Sequence, residues 1–152
     1  MAWIKPESIG TNMRMLTKAK ASQAANRRDL RVNTAGNIVW IVGGLTTNTS
    51  VTSSNTVSAG SWSLVVAIYD STNTELAVYV DNTKTSVTAS GSANDSNTDF
   101  AIGCSFFGGS DAADSFFDGI IDDAAVFDRA LTADEVDGLF TNFLTRRPLL
   151  FM

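Results

Sequence analysis

Short runs of β-prone residues, bounded by Gly, Asn, Ser and Thr, form the main pattern along this chain. The run Glu75-Leu-Ala-Val-Tyr-Val80 alternates with a period of two, as does a strand with two different faces. The preceding run, residues 62–69, is more continuously apolar and predicts a central strand covered on both sides. The polar residues 70–73 between them predict a hairpin turn, and Asp81-Asn82 predicts a second one. Ten strands are predicted, at residues 2–5, 13–19, 29–33, 37–43, 51–57, 62–70, 74–81, 84–89, 99–104 and 117–127.

One segment near the end of the chain has the pattern of a helix. Thr132 and Glu135 are spaced as a capping box, in which the Thr side chain binds the amide of the Glu and the Glu reaches back to the amide of the Thr. The apolar residues that follow recur at helical spacing and should form one docking face: Val136, Leu139, Phe140 and Phe143.

The chain has 152 residues, which is the length of one domain with one core. Residues 1–145 are predicted to form an all-β domain, an antiparallel β-sandwich with one short C-terminal helix. Residues 146–152 form a separate tail in which two arginines and a proline precede four apolar residues. Such a tail is unfavourable unless something covers it, so it predicts contact with another chain or with a groove of this one. The predicted interface residues are Arg146, Arg147, Leu149, Leu150, Phe151 and Met152.

Charge is distributed unevenly along the chain. The formal net charge of −5 would repel a phosphate backbone, so nucleic acid is not expected as a partner. Residues 1–31 have seven basic and two acidic side chains, a net of +5, whereas residues 95–137 have eleven acidic side chains and Arg129, a net of −10. The two regions could attract each other within one molecule, or they could bring copies together head to tail as a homo-oligomer.

Targeting signals and cysteine pairing add little. Cys104 is the only cysteine, lies in a predicted apolar strand, and is expected to be a small buried thiol. Met1 is not followed by a basic segment and an apolar run, so no signal peptide is predicted. No apolar stretch is long enough to predict a membrane span.

Several of these elements occur together in an order that resembles one family. The elements are Ala2-Trp-Ile-Lys-Pro6, Trp62 before a long apolar strand, Leu76-Ala-Val-Tyr-Val-Asp81, Phe100-Ala-Ile-Gly103, Phe117-Asp-Gly-Ile-Ile-Asp-Asp-Ala-Ala-Val-Phe127 and Arg129-Ala-Leu-Thr-Ala-Asp-Glu-Val136. This ordered set resembles the laminin-G-like jelly roll of the concanavalin A-like superfamily, over about residues 2–143.

The resemblance also exposes one difference. Members of the family usually have one or two strands before the Trp-Ile-Lys-Pro strand, and here that strand comes first. Three alternatives follow: the chain is truncated, other strands of the chain fill the gap, or a partner supplies a strand to an exposed edge.

The resembling family includes laminarinase-like hydrolases, which use paired carboxylates in a Glu-x-Asp-x-x-Glu arrangement. The only glutamates here are Glu7, Glu75 and Glu135, and none lies in such a motif. The chain has no histidine, which excludes Ser-His-Asp and Cys-His catalysis and His-ligated zinc. The chain is therefore predicted not to be an enzyme.

The resemblance implies a calcium site. In this family the first Asp of an Ile-Asp-Asp motif often helps to hold a structural Ca²⁺ with groups from the N-terminal strand, which makes Asp122, with Asp123 beside it, the candidate ligand. The alternative is that Asp122 binds backbone amides at the end of its strand.

Such folds also bind sugars with exposed aromatic rings. Phe106, Phe107 and Phe116 bracket a long Gly-rich loop and are the candidate carbohydrate-binding residues. Trp40 and Trp62 lie within predicted strands and are expected in the core.

Two functions follow from these features. The first is a non-catalytic assembly protein, such as a capsid decoration or tail-associated protein on a bacteriophage virion, in contact with itself or with other virion proteins. The apolar tail, the absent first strand and the absence of an export signal favour it. The second is a carbohydrate-binding or adhesion module of a larger extracellular protein, which rests on the resemblance.

Overall fold

The computed structural model describes residues 1–18, 27–47, 49–93, 99–106 and 115–146, with side chains as far as residue 142. Within these ranges lie ten strands and one helix. The strands are β1 (Ala2–Pro6), β2 (Met13–Lys18), β3 (Arg28–Val32), β4 (Asn37–Val42), β5 (Ser50–Thr56), β6 (Ser63–Asp70), β7 (Glu75–Val80), β8 (Thr83–Thr88), β9 (Phe100–Ile102) and β10 (Gly119–Asp122), and the helix is α1 (Ala133–Arg146).

The strands form two antiparallel five-stranded sheets, which confirms the predicted all-β sandwich. The first sheet has the order β10-β1-β6-β7-β8 and the second β5-β4-β3-β2-β9. Their facing sides make the main core, because alternate residues of each strand point inward. The largest fully buried side chains of this core are Ile4, Met13, Met15, Leu30, Ile38 and Leu76.

β6, in the middle of the first sheet, is buried on both faces, as the apolar run 62–69 predicts. Inward, β6 contributes Val65 to the main core. Outward, Leu64, Val66 and Ile68 join a second cluster that includes Val136 of α1. The helix therefore supplies the outer cover that a continuously apolar strand needs.

The predicted capping box is present at the start of α1. The Glu135 amide donates to the Thr132 hydroxyl over 3.3 Å, and the Thr132 amide donates to the Glu135 carboxylate over 2.9 Å. Arg129 donates two further hydrogen bonds, of 2.6 and 2.8 Å, to the two oxygens of the same carboxylate. Phe140 then stacks on Trp3 of β1, with the ring centroids 6.2 Å apart, and so docks the helix on the first sheet.

The two predicted turns in the first sheet are also present. Asp70 closes the β6–β7 turn by accepting hydrogen bonds from the amides of Thr72 and Asn73, over 2.9 and 3.1 Å. Asp81, in the β7–β8 turn, has a positive φ of 55° and accepts a hydrogen bond from the Leu64 amide over 2.9 Å.

Two predictions about local structure are wrong. The strand predicted at 117–127 is only Gly119–Asp122, because Asp123 has a φ of 49° and breaks the extended backbone. Cys104 does not lie in a strand, since β9 ends at Ile102, and its side chain is half-buried.

Trp62 is half-buried just before β6, and Trp40 is half-buried within β4.

The outer face of the second sheet has a buried group of charges. Asp29 of β3 is 2% exposed and lies between Arg14 and Arg31, with N···O distances of 3.5 and 3.2 Å. Its neighbours Leu30 and Val32 are core residues, so the alternation of the strand directs Asp29 to the other face.

Within the described ranges, no helix has the length and apolar character that crossing a bilayer requires.

Candidate functional site

The first sheet contains a gap one strand wide, in line with β1. β1 pairs with β6 through Ala2 and Val65, and on its other side with β10 through Trp3 and Asp122. Met1, the residue before β1, exchanges backbone hydrogen bonds of 2.7 and 2.9 Å with Ala125. On the β10 side the ladder therefore reaches Met1, whereas on the β6 side the last pair is Ala2 with Val65.

Beyond Met1 the two neighbours of β1 continue without it. β6 extends to Asp70, so four of its positions, Ala67–Asp70, have no strand beside them on the β1 side among the described residues. On the opposite side of the gap run residues 125–131. Two strands that flank a third are about 9.6 Å apart, so where Met1 pairs with Ala125 the gap begins with room for one extended segment. We call this gap, bounded by Val66–Asp70 and 125–131, the strand slot.

The strand slot opens into a cavity of about 770 Å³ between the two sheets. Its floor is formed by apolar residues of the second sheet, Leu16, Leu30 and Trp40. Three of the large exposed apolar side chains of the protein stand at its rim: Phe100, Val126 and Phe127, which are 46%, 71% and 43% exposed.

This concentration of apolar surface makes the strand slot a candidate binding surface. Isolated exposed apolar residues are common on proteins, but contiguous ones mark sites of contact.

Polar groups in the strand slot are of two kinds. Alternate residues of β6 direct their backbone N–H and C=O groups away from β7 and into the gap, as the antiparallel pairing of β6 with β7 requires. In addition, the indole Nε1 of Trp40 is buried and has no hydrogen-bond partner among the described residues. Buried donors without partners are costly, and because this nitrogen has no exposed surface, an occupant of the strand slot could bond it only after the indole turns.

The end of the strand slot far from Met1 has both signs of charge. Asp70 and Asp128 lie there, with Arg129 beside them, and Lys18 and Arg28 line the cavity. Hydrogen bonds from Asn73 and Thr72 hold the pKa of Asp70 below its ordinary value, so Asp70 is a carboxylate at neutral pH.

The predicted calcium ligands adjoin the strand slot but do not form a complete site. The Asp122 carboxylate accepts a hydrogen bond from the amide of Asp123 over 2.9 Å, which is the capping alternative. Within the described ranges no group of three or more acidic, Cys or His side chains could hold a metal ion. Two adjacent carboxylates fall short of the six to eight oxygens that Ca²⁺ takes, so these residues alone do not fit the ion.

The predicted carbohydrate-binding aromatics are only partly visible. Phe116 is 64% exposed and Phe106 is half-buried, whereas Phe107 lies outside the described residues. Phe117, next to Phe116, packs instead against the main core.

The predicted tail interface also lies almost wholly outside the described residues. Arg146 is the last residue of α1, described by its backbone alone, and Arg147 and Leu149–Met152 are not described.

The family model described as the concanavalin A-like lectin/glucanases superfamily matches residues 1–137. The chain belongs to this superfamily. The order of short motifs that resembles its laminin-G-like jelly roll is thereby confirmed. No curated protein sequence matches this chain significantly.

Solved structures of similar fold include three proteins of low sequence identity. A heptameric SAP-like pentraxin from Limulus polyphemus is 20% identical, with a TM-score of 0.67 over 91% of this chain and 67% of the pentraxin. A candidate carbohydrate-binding protein from Bacteroides ovatus is 20% identical, with a TM-score of 0.69 over 90% of this chain and 38% of that protein. The CBM40 of the Ruminococcus gnavus IT-sialidase, bound to α2,3-sialyllactose, is 12% identical, with a TM-score of 0.63 over 91% of this chain and 79% of the CBM40.

At these identities the comparisons show a shared fold alone. This superfamily member spans little more than a third of the Bacteroides ovatus protein.

Sequence reasoning did not locate the strand slot, although one signal was present. Val126 and Phe127 were assigned to a strand and therefore to a paired position, whereas the structure leaves them exposed at the rim. The expected absence of a strand before Trp3 indicated the gap, but not that β6 and residues 125–131 form its two sides.

Proposed function

We propose that this protein is a non-catalytic, lectin-like binding domain whose strand slot is completed by an extended polypeptide strand, either from a partner or from residues joined ahead of Met1. One observation supports this function: β6 continues for five residues, Val66–Asp70, past its last pair with β1, beside an apolar cavity. A strand added there would take up the backbone groups of β6 and cover Phe100, Val126 and Phe127. Addition of a strand to an open sheet position is a recurring mode of peptide recognition.

The glutamates of the described structure support the non-catalytic part of the proposal. A hydrogen bond from Lys84 holds the pKa of Glu75 below its ordinary value, and a hydrogen bond from Arg129 lowers the pKa of Glu135 to about 2. A general acid for glycoside hydrolysis needs a raised pKa, so neither carboxyl suits that role. We expect no release of reducing sugar from β-glucans.

Peptide binding tests the proposal. The probes are five-residue peptides that alternate apolar residues with Thr, and the readout is the fluorescence of Trp40, which lies on the cavity floor. A matched peptide with Pro at its centre lacks an amide donor and should bind more weakly. Replacement of Trp40 by Phe should remove the signal from the binding curve.

Two matched variants locate the binding. Val126→Lys adds a charge at the rim of the strand slot, at a residue 71% exposed, and should weaken peptide binding about tenfold or more. Ile120→Lys changes a residue of β10 that is 53% exposed and does not line the cavity, so binding should be unchanged. Failure of every peptide to bind, or an equal loss in both variants, would contradict the proposal.

Carbohydrate binding is the second candidate, favoured by the exposed ring of Phe116 and by the sugar-binding proteins of similar fold. A glycan array that includes sialylated sugars tests it. Binding by the intact chain, lost in Phe116→Ala, would support a sugar site in that loop, and an array without signal would oppose it.

The localisation of the protein stays a prediction from the sequence, which favours a virion surface or an extracellular place. Lectin-like domains are typically extracellular or exposed at a surface, which supports the extracellular alternative.

A further inference from the structure

The edge strands of the two sheets differ in the side chains that they expose. On β5 and β8 every exposed side chain is Ser, Thr, Asn or Lys. The Ser54 amide of β5 donates a hydrogen bond of 2.9 Å to the Thr85 hydroxyl of β8, so these two edges are joined. β9 and β10, at the other ends of the sheets, expose Phe and Ile side chains instead. Polar residues and Lys on an edge strand oppose pairing with another chain, whereas apolar residues favour it.

The apolar side chains of β9 face the inside of the sandwich. β9 pairs with β2 so that Phe100 lies opposite Lys18 and Ile102 lies opposite Leu16. Because Leu16 is a core residue, Phe100 and Ile102 lie on the inner face of the second sheet. They are nevertheless 46% and 55% exposed, so the inner face is uncovered at this edge.

The backbone of β9 is open on the same side. In the register of β9 with β2, the Gly103 amide donates a hydrogen bond of 2.8 Å to the Met15 carbonyl. Backbone groups of an antiparallel strand alternate in direction, so Phe100 and Ile102 direct their N–H and C=O groups away from β2. No other strand of the described ranges pairs with β9 there. Exposed apolar side chains and open backbone groups therefore belong to the same two residues.

We propose that β9 of one copy pairs with β9 of a second copy about a two-fold axis. In the antiparallel register centred on Ala101, Phe100 of each copy lies opposite Ile102 of the other. Each of these two pairs can form two backbone hydrogen bonds, because both residues direct their groups outward. Each exposed Phe side chain then covers an exposed Ile side chain. The result is one ten-stranded sheet shared by two copies.

Charged residues near β9 permit this register. Asp99, just before the strand, lies opposite Gly103 of the second copy, so no like charges oppose each other there. The charged residues that line the cavity with Phe100 have both signs: Lys18, Arg28, Asp70, Asp128 and Arg129.

The other apolar edge strand is less suited to pairing with itself. Asp118, Ile120 and Asp122 of the β10 lane share the outer face of the first sheet. A two-fold pairing centred on Ile120 would place Asp118 of each copy opposite Asp122 of the other. Like charges directly opposite each other are destabilising, so β9 is the favoured edge for self-association.

The contact is small, which predicts a weak dimer. Three residues from each copy bury far less than the roughly 1,000 Å² expected of a stable interface. Reversible association is therefore expected at protein concentrations on the order of 0.1 mM or above. β9 forms neither side of the strand slot, so this inference does not depend on the proposed function.

Sedimentation velocity on the full chain tests the edge that is used, from about 0.01 to about 1 mM protein. The parent should shift toward dimer as concentration rises. Ile102→Lys, at a residue 55% exposed on β9, should remain monomeric, because it brings a charge into the contact. Ile120→Lys, at a residue 53% exposed on β10, is the matched control and should associate like the parent. A parent that stays monomeric throughout, or equal effects of the two variants, would overturn the inference.

Disulfide trapping tests the register. In a Cys104→Ser background, one copy has Phe100→Cys and a second, with a larger tag, has Ile102→Cys. In the proposed register their Cα atoms lie about 5.5 Å apart, within the range of a disulfide. Two copies of the same variant place their cysteines more than about 7 Å apart, because they are offset by two residues along the strands. Mild oxidation should therefore give the mixed dimer in large excess over either self-linked dimer on a non-reducing gel.

The outcomes are distinct. Self-linked dimers as abundant as the mixed dimer would indicate random collision or another register and would contradict the inference. Circular dichroism shows whether Ile102→Lys keeps its sheet structure, and if it does not, the disulfide result decides. Peptide binding to the strand slot is measured separately, so a failure of self-association leaves the proposed function standing.

Discussion

The main chains of Met1 and Ala125 exchange two hydrogen bonds, with the Met1 amino group donating over 2.7 Å and the Ala125 amide donating over 2.9 Å. This pair is the last contact of the ladder before the strand slot begins. It continues the pairing of β1 past Asp123, whose positive φ interrupts β10. The pair thereby fixes Ala125, the first residue of the segment 125–131, beside Met1.

Removal of one donor from this pair should loosen the side of the strand slot. Ala125→Pro eliminates the amide that binds the Met1 carbonyl, at a cost of about 1 kcal/mol, and should lower Tm by about 2 to 4 °C. Ala125→Gly keeps the amide and serves as the control. Thermal unfolding measures both, and equal losses in the two variants would show that the hydrogen bond contributes nothing.

Loss of the buried Asp29 carboxylate on the second sheet should lower the free energy of unfolding more than loss of an exposed carboxylate. Asp29→Ala leaves Arg14 and Arg31 without this partner on a buried surface and should destabilise the protein by about 3 kcal/mol. Glu75→Ala breaks the exposed pair with Lys84 and should change stability by less than about 1 kcal/mol. Urea unfolding compares them. Similar values for the two variants would mean that burial of Asp29 does not decide its energetic role.

The helix cap should make stability depend on pH in the acid range. The pKa of Glu135 is about 2, below its ordinary value of 4.5, because Arg129 and the Thr132 amide bind the charged form. A depressed carboxyl pKa stabilises the folded state above the unfolded pKa and loses that effect as pH falls from about 4.5 to about 2. Glu135→Gln should therefore be less stable than the parent at pH 7 and equal to it near pH 2. A difference in Tm that does not change with pH would contradict this.

Calcium at Asp122 stays a prediction from the family resemblance. Ligand that binds the native state alone raises Tm by mass action. If further oxygens complete a site around Asp122, added Ca²⁺ raises Tm of the parent and not of Asp122→Asn, and chelator reverses the rise. Identical melting curves with Ca²⁺ and with chelator would leave Asp122 as a cap for the Asp123 amide.

Strand positions and the helix cap could be predicted from the sequence because their signals are local. Nine of the ten predicted strands agree with the structure within two residues at each end, and the spacing of Thr132 and Glu135 identified the cap. The family order of motifs added the sandwich topology. These signals need no knowledge of how distant segments meet.

The strand slot could not be predicted because it depends on register. Val126 has the same apolar character whether its neighbour is a strand or solvent, and only the pairing of Ala2 with Val65 shows where β1 ends beside β6. The conformation of Asp123 was equally hidden, since Asp adopts positive φ more readily than most residues but rarely does so. The tail was predicted to seek cover, yet its sequence did not show which surface would offer it.

Amide hydrogen exchange on β6 tests strand binding most directly. The readout is the protection of Ala67–Asp70 in dilute protein, with and without a saturating strand-forming peptide. Antiparallel pairing directs alternate amides of this segment toward β7 and the others into the strand slot. The slot-facing amides should exchange quickly in the free protein and at least about tenfold more slowly with peptide, whereas amides of β7 should not change. Unchanged exchange at every slot-facing amide, with peptide shown to be bound, would contradict strand addition to β6.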